Sequence, residues 1–172
     1  MLVREWVPVS TYPKGRLALA AVREFGARPF AEVTVGELSA AAEVTTGALY
    51  HHFQSKLGLY AFVRRDVERR LLDRMEGAAA AASADPLSAA LVVGFDFAVR
   101  QSFVRLLDER PPGGDKDLLA ELLAGLAHPL PAPIGRVLAA GWRAALSSVA
   151  EGAPAEDARR ALLAVSVHPD GR

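Results

Sequence analysis

The chain has 172 residues, 51% of them hydrophobic and 23% charged, and its 20 basic residues are balanced by 20 acidic ones. This composition excludes global disorder, and the neutral balance lends no support of its own to nucleic-acid binding. Cysteine is absent, which excludes disulfides and thiolate zinc sites.

Alanine-rich runs such as GAAAAAS favour helix, and no alternating β-branched segment competes with them. An all-α fold is expected. The opening MLVREWVPVS lacks signal-peptide character, and the small-residue region 77–91 is interrupted by Asp85 and Pro86, so a cytoplasmic protein with no membrane contact is expected.

Residues 1–13 read as an arm, because Pro8 and Pro13 interrupt helix formation. Within it Trp6 has packing as its first reading and Arg4 a DNA-proximal role as its second. The first helix is placed at Lys14–Phe25, with Leu17, Ala21 and Phe25 inward and Gly26 as its stop. Phe30 anchors the connection that follows. Thr34 with Glu37 forms a capping box, and Val35, Leu38 and Ala42 recur at helical spacing behind it. A bend near Glu43 and Val44 leads to a second cap at Thr45 or Thr46, for a helix ending about Phe53. Leu49 and Phe53 face inward there; Thr46, Gly47, Ala48, Tyr50, His51 and His52 are presented outward. Small residues at that helix start permit close approach to a surface, and Tyr and His supply donors beside them. The periodicity fits a helix lying in a major groove and a purely structural helical hairpin equally well. Adjacent His51 and His52 do not converge on one helix face, which speaks against a metal pair.

The run EVTTGALYHHFQSK, with AVREFGARPFAEVTVGEL upstream, resembles the DNA-binding domain of the TetR family of transcriptional regulators. The likeness covers Lys14–Val63, and its most specific part is the LYHHF-x-SK pattern. It implies an N-terminal three-helix domain with a helix-turn-helix at 14–55, a connecting fourth helix and joint at 56–84, and a C-terminal helical bundle at 85–172 for effector binding and dimerisation. It further implies a homodimeric repressor, and it makes Thr34, Thr46, Gly47, Tyr50, His51, His52 and Lys56 the DNA-binding candidates, which Ala48 joins as an outward small residue of the same helix start. Two departures stand out: Glu43 occupies the bend where many members carry Gly, and Leu57-Gly58 replaces the acidic residue that often follows the Lys.

The fourth helix is expected from Ser55 or Lys56 to about Met75, with Tyr60, Val63, Val67, Leu71 and Met75 along one side, and the alanine run from Gly77 to Ala84 either finishes that helix or forms a flexible joint. Lys56 opposes the dipole preference at a helix start, which a nearby phosphate would explain. RRDVERRLLDR reads as a solvated, self-paired face. Asp85-Pro86 then restarts the chain in a helix expected from Leu87 to about Leu107, with Leu91, Phe95, Ala98 or Val99, Ser102 and Leu106 on neighbouring faces. Phe95, Asp96, Arg100 and Phe103 are its effector-binding candidates; the alternative is aromatics filling the core and an i,i+4 pair between Asp96 and Arg100. ERPPGGDK breaks the pattern. Helices follow at about Asp115–Leu126 and Ile134–Val149, and a last one begins near Pro154, with Glu156 and Asp157 suiting its N-terminal dipole. His128 is read as a surface residue. Val137, Leu138, Ala140, Gly141, Ala144, Ala145 and Ser148 suit close helix contact, within one subunit or in the four-helix dimer seam that the resemblance implies. The terminal SVHPDGR makes the last helix short for such a seam.

The leading expectation is therefore a ligand-responsive DNA-binding transcriptional regulator, binding a palindromic operator as a homodimer and released by a small molecule. Thr34, Tyr50, His52 and Lys56 would grip phosphate, and Thr46, Gly47, Ala48 and His51 would meet base edges. On that reading Lys56→Ala weakens binding broadly and lowers the salt slope. No catalytic triad order, phosphate-cradling loop or metal cluster is present, so neither an enzyme nor a cofactor is expected. The competing reading is a helical interaction or ligand-binding protein that has lost operator binding. A basic face around Lys56 favours the regulator; an acidic one around Glu37 and Glu43 favours the alternative.

Overall fold

The structure is a computed structural model that describes residues 12–109, 116–131 and 133–165. The arm residues Arg4 and Trp6, the Pro-Gly segment 110–115 with the expected helix start at Asp115, and the tail 166–172 lie outside the described residues. Helices make up the architecture: α1 Pro13–Ala27, a 3-10 turn η1 Phe30–Glu32, α2 Val35–Ala41, α3 Thr46–Phe53, α4 Lys56–Ala81, α5 Pro86–Arg100, α6 Val104–Leu107, α7 Leu118–Leu126, α8 Ile134–Ala150 and α9 Ala155–Val165. They divide into two compact units, residues 1–66 and 67–172, with the boundary inside α4.

In the first unit α1 packs on α2 and α3, and α2 on α3. Leu17, Phe25, Leu38, Leu49, Leu59 and Val63 bury their side chains at its centre. Pro13 opens α1 instead of closing an arm, because its fixed φ and missing N–H suit a first helical position. Gly26 does not stop α1; the helix closes one residue later, with Arg28 extended and its N–H donated to the Glu24 carbonyl. Phe30 stacks on Phe25 at 5.6 Å and meets the Tyr60 ring at 5.0 Å, as an anchor of this connection should.

Within the second unit α8 packs against α5, α6, α7 and α9, and α5 against α9. Trp142 is its largest fully buried side chain, and its indole N–H donates to the Leu91 carbonyl at 3.2 Å. A Cβ on Gly135 would stand 2.1 Å from the Ala120 carbonyl oxygen, so only glycine lets α8 approach α7 this closely. Asp117 caps α7 by accepting from the Ala120 N–H. His128 is exposed, as expected of a loop histidine.

Three sequence expectations are corrected here. The fourth helix does not end about Met75: of the two readings of the alanine run, the one in which it finishes this helix holds, and α4 continues to Ala81, since alanine is the best helix former. The helix expected over Leu87–Leu107 is broken after Arg100. Ser102 takes φ +60°, and the Phe103 and Ser102 N–H groups close on the Ala98 and Val99 carbonyls, a Schellman end that leaves Ser102 exposed. Finally, Arg64 and Glu68 are buried, at 2% and 8% exposure, so the RRDVERRLLDR face is not wholly solvated. Among the described residues no helix is long and apolar enough to cross a membrane.

Candidate nucleic-acid interface

The capping box of α2 forms as its sequence dictates. The Glu37 N–H donates to Thr34 Oγ1 at 3.2 Å, while Glu37 Oε2 accepts from both the Thr34 N–H and its hydroxyl, each at 2.7 Å. Arg28 completes the brace from the end of α1, donating to Glu37 Oε1 at 3.0 Å and to Glu24 Oε2 at 2.7 Å. These bonds, from the Thr34 hydroxyl first, then its N–H and Arg28, lower the Glu37 carboxyl to a pKa of about 2 from its ordinary 4.5. A depressed carboxyl stabilises the fold above its unfolded value and loses that contribution as pH falls through the folded one. Thermal midpoints followed downward through this window should therefore fall less steeply for Glu37→Gln, whose amide keeps the box but does not titrate.

The bend after α2 is a second Schellman closure. The Val44 N–H reaches the Ser39 carbonyl, the Glu43 N–H reaches that of Ala40, and Glu43 adopts φ +53°. The missing glycine thus leaves the turn geometry intact, and a carboxylate stands where no Cβ is preferred. Its side chain is 86% exposed, and the 3.9 Å approach of Arg16 is too open to matter much energetically. Glu43→Gly is expected to stabilise the chain by about 0.5–1 kcal/mol, the left-handed penalty less the glycine entropy, in urea denaturation.

Thr45 is the residue that caps α3, accepting from the Ala48 N–H at 3.2 Å. With Leu49 and Phe53 buried, the opposite side of the helix carries Thr46, Gly47, Tyr50 and His51 exposed, and Ala48 and His52 half-buried. Thr46 and Tyr50 share one line of that face, Gly47 and His51 the next. The two imidazoles lie in the last turn, and their rings are set edge to face at 5.0 Å. No cluster of three or more potential metal ligands occurs among the described residues.

Two candidates differ from the outward set. Thr34 is exposed, yet both its hydroxyl proton and its N–H are spent on Glu37, so donating to a phosphate would open the capping box. Lys56 is half-buried, and its ammonium donates to the Phe30 carbonyl at 2.9 Å and the Val33 carbonyl at 2.8 Å, 4.2 Å from the Phe30 ring centroid. This internal engagement, which sequence reasoning missed, answers the dipole conflict without a phosphate. The corner between α3 and α4 is equally tight: Gln54 sits at φ +66°, Ser55 Oγ accepts from the Gly58 N–H, and a Cβ on Gly58 would fall 2.1 Å from the Phe53 carbonyl oxygen.

In the second unit the effector candidates separate. Phe95, Asp96 and Arg100 line an open cleft of about 330 Å³ with Val99, Ala155, Glu156 and Arg159. Phe103 does not; it is buried against Phe97, ring centroids 5.5 Å apart. Asp96 pairs with Arg159 at 3.2 Å across to α9 instead of with Arg100 on its own helix.

Residues 18–62, from within α1 to the second turn of α4, match the family model described as bacterial regulatory proteins of the tetR family. No curated protein matches the chain in sequence. Among solved structures, the chain is similar to a TetR-family transcriptional regulator from Pectobacterium atrosepticum, with a TM-score of 0.68 and 22% identity over 88% of this chain and 89% of that one. It is also similar to a TetR-like transcriptional regulator from Rhodococcus sp. RHA1, with a TM-score of 0.66 and 23% identity over 89% of this chain and 92% of the other. Those likenesses establish the shared all-α fold, and the match over residues 18–62 shows that the helix-turn-helix region of this chain is similar to that of the tetR family of bacterial regulatory proteins.

Proposed function

We propose that the chain is a ligand-responsive transcriptional repressor that binds a palindromic operator as a homodimer and is released by a small molecule. The observation that carries this reading is the uncovered face of α3, where Thr46, Gly47, Tyr50 and His51 stay exposed while Leu49 and Phe53 are buried beneath them. Thr46, Gly47, Ala48 and His51 are assigned to base edges, and Tyr50 and His52 to phosphates. The Thr46 and Ala48 methyls fit thymine. With no Arg, Asn or Gln on that face, part of the specificity falls to DNA shape.

The dimer is assigned to α8 and α9. Val137, Ala140 and Ala144 are exposed along one side of α8, with Gly141 and Ser148 half-exposed beside them, and Ala161 and Ala164 are exposed on α9. A second subunit would cover this small-residue surface. The effector is assigned to the cleft bordered by Phe95, Asp96 and Arg100.

Selection of genomic fragments by the purified chain, followed by footprinting, tests the reading. Recovery of a symmetric site, with Thr46→Ala losing affinity at some operator positions more than others, supports it. Recovery of no specific fragment favours the second reading, an interaction or ligand-binding protein. The exposed Glu43 and the inward-turned Lys56 are the observations on that side.

A further inference from the structure

We infer that the cleft between α5 and α9 takes a small monocarboxylic acid, its carboxylate held by Arg100 and Arg159 and its apolar body laid on Val99, Ala155 and the edge of Phe95. The inference rests on the assignment of the effector to this cleft and names the chemical class it admits. At about 330 Å³ the cleft stands at the small end of ligand sites. Its charged border carries two arginines, Arg100 and Arg159, and two carboxylates, Asp96 and Glu156.

Both carboxylates are compensated within the unit. Asp96 accepts from Arg159 Nε at 3.2 Å, and Glu156 sits in the first turn of α9, where the helix dipole suits an anion. The arginines are not used up in return. Arg159 spends only its Nε–H, which leaves its terminal nitrogens without a partner among the described residues. Arg100 has neither hydrogen bond nor ion pair among them. The carbonyls that an arginine in the last turn of α5 would cap are already taken: those of Phe97, Ala98 and Val99 accept from the Gln101, Phe103 and Ser102 N–H groups. The cleft is thus left with one unanswered cation on α5 and free guanidinium donors on α9. A planar carboxylate matches such donors in pairs. An amine would bring a second cation to Arg100, and the second charge of a phosphate ester would meet Asp96 and Glu156 with no further cation in the cleft to answer it. Successive residues turn about 100° round a helix, so on α9 the core side of Ala158 and Leu162 is flanked by Ala155 and Arg159 toward the cleft, while the exposed Ala161 and Ala164 fall on the far side. The surface assigned to a second subunit and the cleft therefore occupy different faces of this helix.

The test titrates the full chain with benzoate, benzamide, benzylammonium and phenyl phosphate and follows the Val99 and Ala155 amides by NMR. Benzoate is expected to shift both amides and to bind about tenfold more tightly than benzamide, its neutral counterpart. Arg100→Gln, which breaks no contact of the fold, is expected to weaken benzoate about tenfold and to leave benzamide unchanged. Equal benzoate affinity in the variant and the wild type overturns the inference, and so does benzoate that moves neither amide. Tighter binding of benzylammonium or phenyl phosphate at the same amides overturns the chemical class while keeping the cleft as a ligand site. The effector role is read separately, with an operator duplex recovered by the wild-type chain: a chain saturated with benzoate that keeps its duplex rejects that role, and the amide titrations still decide the class.

Discussion

Replacing Gly58 by alanine is expected to cost about 1–3 kcal/mol of stability, as overpacking against an immobile group does. The added Cβ would lie 2.1 Å from the carbonyl oxygen and 3.3 Å from the carbonyl carbon of Phe53, backbone atoms that no rotamer change can move. Phe53 ends α3 and Gly58 lies in the first turn of α4, so relief requires the angle between the two helices to open. On the proposed function the same opening re-aims Thr46, Gly47, Tyr50 and His51, and DNA affinity falls with stability. Gly77→Ala provides the control. It too adds a methyl to a glycine inside α4, but with nothing within 4 Å, and should stabilise by about 0.5–1 kcal/mol. Denaturant midpoints of the two variants should move in opposite directions; a Gly58→Ala midpoint at or above wild type would mean that the corner opens freely.

What the sequence made legible here was local. The Thr34 and Glu37 box, the Asp85 cap and the inward pair Leu49 and Phe53 each depend on residues at most four apart, and each stands where the pattern placed it. The Schellman ends were half hidden. A bend was legible near Glu43 although no glycine stands there, but nothing marked Ser102, which also lacks the glycine that usually signals a left-handed residue, and the helix was consequently drawn about two turns past the end of α5. Charge patterning misjudged α4: Arg64 and Glu68 sit among alternating acids and bases, and local spacing contains nothing that says which of them the fold will cover. The candidate site divides the same way. Exposure of the α3 face followed from periodicity, while the engagement of Lys56 depends on carbonyls 26 and 23 residues earlier in the chain. The pairing of Asp96 with Arg159, 63 residues apart, was invisible for the same reason.

The largest loss of stability is expected at another long-range contact, between Asp117 and Arg143. The guanidinium spans both carboxylate oxygens, Nη2 to Oδ1 at 2.7 Å and Nη1 to Oδ2 at 2.8 Å, and Oδ1 also accepts from the Ala120 N–H as the cap of α7. Arg143 is 6% exposed, so Asp117→Ala strands a buried cation as well as removing a helix cap. Breaking one side of a buried pair costs about 3–5 kcal/mol, a large share of the roughly 5–15 kcal/mol by which domains are stable. Arg143→Met should cost less, because it removes the buried charge and fills part of its volume, while the remaining carboxylate keeps its capping bond and reaches water more readily than the guanidinium does. Asp117→Asn should fall between them, retaining the cap but only one acceptor for the fork. The double variant Asp117→Asn with Arg143→Met should then lose less than the sum of its parts, since neither charge remains to be stranded. Urea unfolding of the four variants and the wild type measures this order, and additive losses would show that the two side chains stabilise α7 and α8 independently and not as a pair.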